Sequence, residues 1–594
     1  MRISQRCAGV ILLCLASHAY GHERELILAG GALRTCSSLS ARECVDPALV
    51  TGASHRQPSR YVFDTVGVNA AVDSRLWTNS MNLRTPLARV LADAQTRHGD
   101  AVMDAAAAAQ TLATRCSEGA NVVACPADDA RAPWSRLDDD MQAAVLAAIE
   151  QPQLGVKGAR RREVADIDGS RSPHGTAIWR AFVAAARKRA GSEIPRIAVV
   201  TAPAFDPFDP VDFYLDALRD AGAQPQWWPV DAALAAAMFE QHDCAAISAA
   251  RLSLLRLPGR ERVYPDLVAQ QVAACGDPDA LARVPDEVHG IFFAGGDQWK
   301  LRRAFFDADD RPNPWLLALR RAAFAGRVVI GGTSAGSAAQ SGGPMLSNGT
   351  PLHALRHAGV AIVPPAPGCT RSGDCSGALD EDAMTYWRAG GLGLASEMIV
   401  DTHFSERARE VRLVRLLADT GSRWGLGADE ASALHLRWRR SGAIQVEALG
   451  AAGGWVLHAV PSCTGATLRA QAHYLAAGAI TTLRETGVEV VVDAGNAASK
   501  ARSPPRAVNA LAEGALRDAA QRLASGMQRV QMPAGPDGAI ATLARTPDSR
   551  AWRAPGAKYA GISAMTLEIA KVGDCDGDDA SGTKSGLPAV PRMR

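Results

Sequence analysis

Four apolar, strand-length runs in this chain end in small-residue or proline turns, and in two of them the turn opens onto a helical pattern. "VHGIFFAGGDQWKLRRAFF" reads as strand, glycine turn and helix, and "PWLLALRRAAFAGRVVIGGTSAGS" as helix, strand and turn. "PRIAVVTAPAFDPFDPVDFYLDALRDAGAQPQWWPVD" reads as strand, proline-punctuated loop, amphipathic helix, glycine-marked end and strand. "ERELILAGGALRTC" is a further short strand, closed by Gly30 and Gly31. Strands alternating with helices over short connections predict an α/β fold, a doubly wound and mostly parallel sheet. With 594 residues and 47% apolar side chains, the chain has material for a sizeable core and for more than one domain.

Two regions break the rhythm. Residues 36–190 separate the first strand from the next and include "LARVLADAQTRHGDAVMDAAAAAQTLATRC". That is too long for a loop and predicts a helical inserted subdomain. After residue 485 there is one strand-like run, "GVEVVVDAG", then sequence rich in Pro, Ala and Arg. The expected division is a signal peptide at 1–21, the first strand of the catalytic domain at 22–35, the insertion at 36–190, the rest of that domain at 191–485 and a C-terminal extension at 486–594. The signal rests on Arg2 and Arg6, the apolar run Cys7 to Ala16, and small residues before a cut after Ala19 or Gly21. The run is shorter than the roughly 20 residues of a membrane helix, so the expected location is secreted or periplasmic, without membrane association once the signal is removed.

Removing Arg2 and Arg6 leaves basic and acidic residues equal at 62, and a formally neutral chain gives nucleic-acid binding no electrostatic support. Ten cysteines remain beyond the signal, several as close pairs. In an oxidising compartment this predicts disulfides, paired 36 with 44, 116 with 125, 244 with 275, 369 with 375, and 463 with 575. No C-x-x-C cluster points to zinc. The aspartates of "DCDGDDASGTKSG" do not complete an EF-hand loop and read as a surface turn. No metal or cofactor is expected.

Gly332-Thr333-Ser334-Ala335-Gly336 fits G-x-S-x-G, a nucleophile elbow in which flanking glycines let a tight strand-to-helix turn lift a serine hydroxyl above the sheet. The amide of Ala335 would face a developing oxyanion. A serine needs a base, and the base an orienting acid. "MIVDTHFSERAREVRLVRLL" delivers Asp401 and His403 at a strand end, and "RWGLGADEASALHL" places Asp429 and Glu430 after two glycines. The order Ser334, His403, Glu430 departs from the Ser, acid, His order of α/β-hydrolases. An esterase of that fold would need His435, His458 or His473 as its base.

"IFFAGGDQWKL", "GGTSAGSAA", "GLGLASEMIVDTHFSERAREVRL" and "GLGADEASAL" resemble, in the same order, the motifs of cyanophycinases, serine peptidases of family S51 related to aspartyl dipeptidase. The resemblance covers the strand at Leu26 to Leu33 and residues 195–485, but neither the insertion nor the tail. It implies Ser334 as nucleophile, His403 as general base and Glu430 as its orienter, with an oxyanion hole from the Ala335 amide and the Gly296-Asp297 turn. It places Gln298, Asp401, Thr402, Arg407, Arg409 and Arg412 at substrate-binding positions. A guanidinium fork suits the free α-carboxylate of a β-aspartyl substrate, while ion pairs with Glu406 and Glu410 are the alternative role for these arginines. Thr402 stands where the family commonly has Gln, and Ser337 replaces a small apolar residue.

The implied activity is secreted, exo-acting hydrolysis of β-aspartyl bonds in a peptide or polymer of the β-Asp-Arg type, with a homodimer among the assemblies expected. A dipeptidase or isoaspartyl peptidase of the same fold, an esterase, or a non-catalytic binding protein on this scaffold are the alternatives.

Overall fold

The computed structural model describes residues 23–77, 81–113, 132–373, 375, 379–458, 466–492 and 509–573. The expected signal peptide and the pairs 116 with 125 and 463 with 575 lie outside them. The other three expected disulfides, Cys36–Cys44, Cys244–Cys275 and Cys369–Cys375, are formed. Among the described residues, no helix is long and apolar enough to cross a membrane.

The fold is α/β. A nine-stranded sheet holds five parallel neighbours in the order Glu25–Ala29, Val329–Thr333, Gly290–Phe293, Arg196–Val200 and Gln224–Trp227. Its strands are buried on both faces because alternate side chains serve different layers. Leu26, Leu28, Ile291, Phe293 and Ile330 share a core with Leu301 and Phe305 of helix Gln298–Phe305 and with Trp315 and Leu319 of helix Pro314–Phe324. Ile27, Ala29, Ile197, Phe292 and Val329 meet Trp179 and Phe182 on the opposite face. The parallel character is confined to these five strands. Beyond Glu25–Ala29 the sheet continues antiparallel through Ser432–Trp438, Ile444–Gly450, Ala479–Arg484 and Gly487–Val492.

Strand Met398–Thr402 belongs to a second sheet. It pairs in parallel with Trp424–Ala428, and the sheet continues antiparallel through Gly454–His458, Thr467–Leu475, Gly561–Ala570, Ala539–Arg545 and Arg529–Ala534. Helices Glu410–Thr420 and Ala515–Ala524 cover it through Val411, Val414, Leu417, Leu516 and Leu523. Four strands that sequence assigned to a C-terminal extension, the fourth being Ala551–Trp552 against Gly561–Ala570, are therefore built into this sheet, and a helix from the same segment covers it.

Helices Thr65–Ala71, Met81–His98 and Asp139–Ile149 of the insertion bury a core of their own around Phe63, Trp77, Leu87 and Val145. Helix Pro173–Ala190, placed with them by sequence, instead lies on the first sheet through Trp179 and Phe182. The boundary at 190 thus cuts behind a helix of the sheet domain. Amphipathicity alone does not say which core a helix covers.

Candidate active site

Strand Val329–Thr333 ends at Ser334, whose backbone adopts φ 52° and ψ −121° before the short helix Ala335–Ala338. A positive φ on a serine is strained and persists only where its surroundings hold it. Here the Ser334 amide donates to Ala29 O at 3.0 Å, and the Ser337 hydroxyl donates to the same oxygen at 2.8 Å. Ser337 thus anchors the elbow.

His403 and Glu430 come from the second sheet. Register pairs Thr402 with Ala428, so the residues one and two positions beyond emerge side by side. The His403 amide donates to Gly30 O at 2.8 Å and the Ala431 amide to Gly31 O at 2.9 Å. These bonds tie both turns to the end of strand Glu25–Ala29. Ser334 Oγ lies 2.8 Å from His403 Nε2, and His403 Nδ1 lies 2.7 Å from Glu430 Oε1. The three side chains thus form one hydrogen-bonded chain across the two sheets. Burial, with the charges of Arg407 and Arg409, outweighs the Glu430 hydrogen bond and lowers the His403 pKa. The imidazole is therefore neutral at pH 7 and able to accept a proton.

Ala335 opens its helix, so its amide has no intrahelical acceptor. In the facing turn, the Gly295 amide donates to Tyr214 Oη at 3.3 Å and the Asp297 amide to Pro203 O at 2.7 Å. Gly296 is left as the amide of that turn without an assigned acceptor among the described residues. Asp297, expected to share the oxyanion hole, instead caps helix Gln298–Phe305 by accepting from the Trp299 amide at 2.8 Å, and burial raises its pKa.

The other expected binding residues turn inward, with one exception. Gln298 Nε2 donates to Leu346 O at 2.8 Å and holds strand Met345–Asn348. Asp401 is buried and accepts from Arg412 Nε at 2.8 Å and Nη2 at 2.7 Å, and from Arg409 Nη1 at 3.3 Å. Arg412 Nη1 also donates to Gly349 O, and Arg409 Nη1 to Thr402 O, both at 2.7 Å. Thr402 is buried. Both guanidinium groups are committed to internal acceptors and do not form an open carboxylate clamp. Only Arg407 of the three arginines is exposed.

Among the curated proteins, the cyanophycinase of Geminocystis herdmanii is 33% identical over 141 residues, 24% of this chain and 40% of that protein. The cyanophycinase of Synechococcus elongatus is 31% identical over 152 residues, 26% and 37% of the two chains. Over these stretches the chain is cyanophycinase-like. It spans about two fifths of the length of these relatives. The cyanophycinase of Trichormus variabilis is 28% identical over 184 residues, covering 31% of this chain and 47% of that one. A solved peptidase from an acI-B1 actinobacterium aligns over 54% of this chain and 92% of its own, with 14% identity and a TM-score of 0.29. No family model matches the chain.

Ser334 and His403 open onto a cleft of about 910 Å³. Much of its wall comes from Leu33 through Glu43, which run from the first strand into the insertion beside the Cys36–Cys44 bridge, together with Glu163 of the insertion and Trp179 of helix Pro173–Ala190. Burial raises the Glu163 carboxyl to about 7. Arg34 and Arg42 line the same wall and give it both signs of charge. Sequence reasoning missed this wall, because only long-range folding brings 33–43 and 163 to the elbow; the close cysteine pair was its one local signal. Among the described residues, no group of three or more His, Cys, Asp or Glu side chains is gathered to hold a metal ion.

Proposed function

We propose that this protein is a secreted serine exopeptidase of β-aspartyl-linked substrates, with cyanophycin as the substrate class and β-Asp-Arg, released whole by cleavage of the amide between successive units, as the product. The carrying observation is the Ser334, His403, Glu430 chain, at 2.8 Å and 2.7 Å. Similarity to proteins named cyanophycinase supports the substrate class, and three closed disulfides are compatible with an oxidising compartment.

In this mechanism Ser334 Oγ attacks the carbonyl carbon of the main-chain amide that joins one β-Asp-Arg unit to the next, leaving the β-linkage inside the unit intact, while its proton passes to His403 Nε2. Glu430 holds Nδ1–H and stabilises the imidazolium. The carbonyl oxygen gains the negative charge between the amides of Ala335 and Gly296. His403 then protonates the leaving amine as the C–N bond breaks, leaving an ester on Ser334. Water, deprotonated by His403, attacks that ester and restores the serine. With Arg409 and Arg412 committed to Asp401, exposed Arg407 and cleft-lining Arg34 and Arg42 are the cations available to the substrate's free carboxylate.

A second reading, a peptidase of short β-aspartyl peptides, is favoured by the insertion-built wall and by the internal pairing of Arg409 and Arg412. The test incubates purified mature protein with cyanophycin, β-aspartyl dipeptides and their α-linked isomers, and identifies products by mass spectrometry. Release of β-Asp-Arg from polymer is expected. Intact polymer beside cleaved dipeptides favours the second reading. Ser334→Ala should lose hydrolysis by about three orders of magnitude or more; retention of more than a few per cent places the nucleophile elsewhere.

A further inference from the structure

We infer that Arg517, in the C-terminal segment, is a positioning residue for the hydrolytic site, holding together the two turns that carry His403 and Glu430. The inference rests on the reading of Ser334, His403 and Glu430 as the reacting set.

Arg517 lies in helix Ala515–Ala524. Its Nη1 donates to Glu406 Oε1 and, at 3.1 Å, to Asp429 Oδ2. Glu406 follows His403 by three residues, and its other carboxylate oxygen accepts from the Glu430 amide at 2.9 Å. Asp429 precedes Glu430, and its Oδ1 accepts from the Ser405 amide at 3.0 Å. Each turn is thus bonded to the other through a carboxylate, and one guanidinium neutralises both. Tyr474 Oη also donates to Asp429 Oδ2, at 3.2 Å, and the Gly514 amide to Ser405 O, at 2.7 Å. The Arg517 guanidinium sits 4.8 Å from the centre of the Tyr559 ring.

The two turns need such a clamp. His403 has φ 48°, Ala408 49° and Ala431 52°, conformations that cost of order 1 to 3 kcal/mol for residues with a Cβ and hold only where their surroundings fix them. Asp429 is fully buried. Without Arg517, Glu406 and Asp429 would be two neighbouring carboxylates with no shared cation, and their repulsion would act on the bonds that set the His403 to Glu430 distance.

The test uses the full mature chain as wild type, Arg517→Lys, Arg517→Met and Glu406→Gln. It measures the rate at which a fluorophosphonate modifies Ser334, which needs no substrate assignment, together with kcat, KM and Tm. Arg517→Met should lower the modification rate and kcat about 100-fold, the scale of a small misplacement of reacting groups, with KM within about threefold. Arg517→Lys should recover part of that loss. If Arg517→Met lowers only Tm and leaves modification rate and kcat within about twofold of wild type, the inference is wrong. Should that variant fail to fold, Glu406→Gln decides in the same way, since it weakens the clamp while keeping an oxygen for the Glu430 amide. Wild-type protein that resists the fluorophosphonate, with Ser334→Ala still hydrolysing substrate, removes the reading of Ser334 and this inference with it. Equal reactivity of wild type and Arg517→Met removes the inference alone.

Discussion

Replacing Arg412 by Met separates a substrate clamp from an internal ion pair. The Arg412 side chain is 5% exposed and that of Asp401 3%. The charges of Arg412 and Arg409 outweigh burial and hold the Asp401 carboxyl below its ordinary 3.8. Met fills most of the arginine's volume but leaves the buried carboxylate with one cation, Arg409 at 3.3 Å, beside the Thr402 amide at 2.8 Å, and strips Gly349 O of its donor. Breaking a buried pair from one side costs about 3 to 5 kcal/mol, and a surviving second cation puts the expected loss near the lower end. Urea unfolding at pH 7 measures it. The double variant Asp401→Asn/Arg412→Met should lose less than the sum of the two singles, because removing both partners leaves no unpaired charge. A depressed folded pKa means that Asp401's contribution is present above 3.8 and lost as pH falls through the lower folded value. Among folded molecules KM should change by less than about threefold. Stability within about 0.5 kcal/mol of wild type together with a tenfold rise in KM would restore the clamp and refute the internal-pair reasoning.

Gly31→Ala should abolish most activity while the protein stays folded. Gly31 has φ +109°, and a Cβ there would sit 2.3 Å from His403 Cε1 and 2.5 Å from Nε2. The imidazole must leave Ser334, so kcat should fall by roughly 100-fold or more; a kcat within twofold of wild type contradicts the placement of His403. Glu410→Gln should flatten the pH dependence of stability. Burial raises the Glu410 carboxyl to about 8 from 4.5, so the native state keeps a proton that the unfolded chain releases, and stability drains as pH rises through that window. The span corresponds to roughly 5 kcal/mol. Thermal melts at pH 5 and pH 8 should show the glutamine variant gaining on wild type at the higher pH; parallel curves would mean that Glu410 titrates normally.

The strand-end positions of Ser334, His403 and Glu430 were legible in the sequence because the signals that place them are local. Short continuous apolar runs such as Val329 to Thr333, ended by glycines or by Ser334, specify where a side chain leaves a sheet. Met398 to Thr402 and Trp424 to Ala428 read the same way, so His403 and Glu430 could be placed at strand ends. Which sheet those strands join was not legible. Each looks alike locally, and the choice depends on Gly454–His458, Thr467–Leu475 and Gly561–Ala570, up to about 160 residues away. The same distance hid the direction of the arginines. Arg409 and Arg412 sit where a substrate-facing guanidinium belongs, but their partner is Asp401 at the end of the preceding strand, and only the packing of helix Glu410–Thr420 decides that they face it.

Chemistry and specificity are therefore encoded at different ranges in this chain. Ser334, His403 and Glu430, the proposed nucleophile, base and acid, stand at three strand ends that short motifs announce. The cleft wall comes from Leu33 to Glu43, held by Cys36–Cys44, and from Glu163, while the clamp on the base and acid turns comes from Arg517. Two polypeptides sharing the four motifs but differing in these remote segments would carry the same reacting atoms behind different walls. On this reasoning, substitutions at Arg34 or Glu163 should act mainly on substrate choice, while those at Arg517 act on turnover with any substrate.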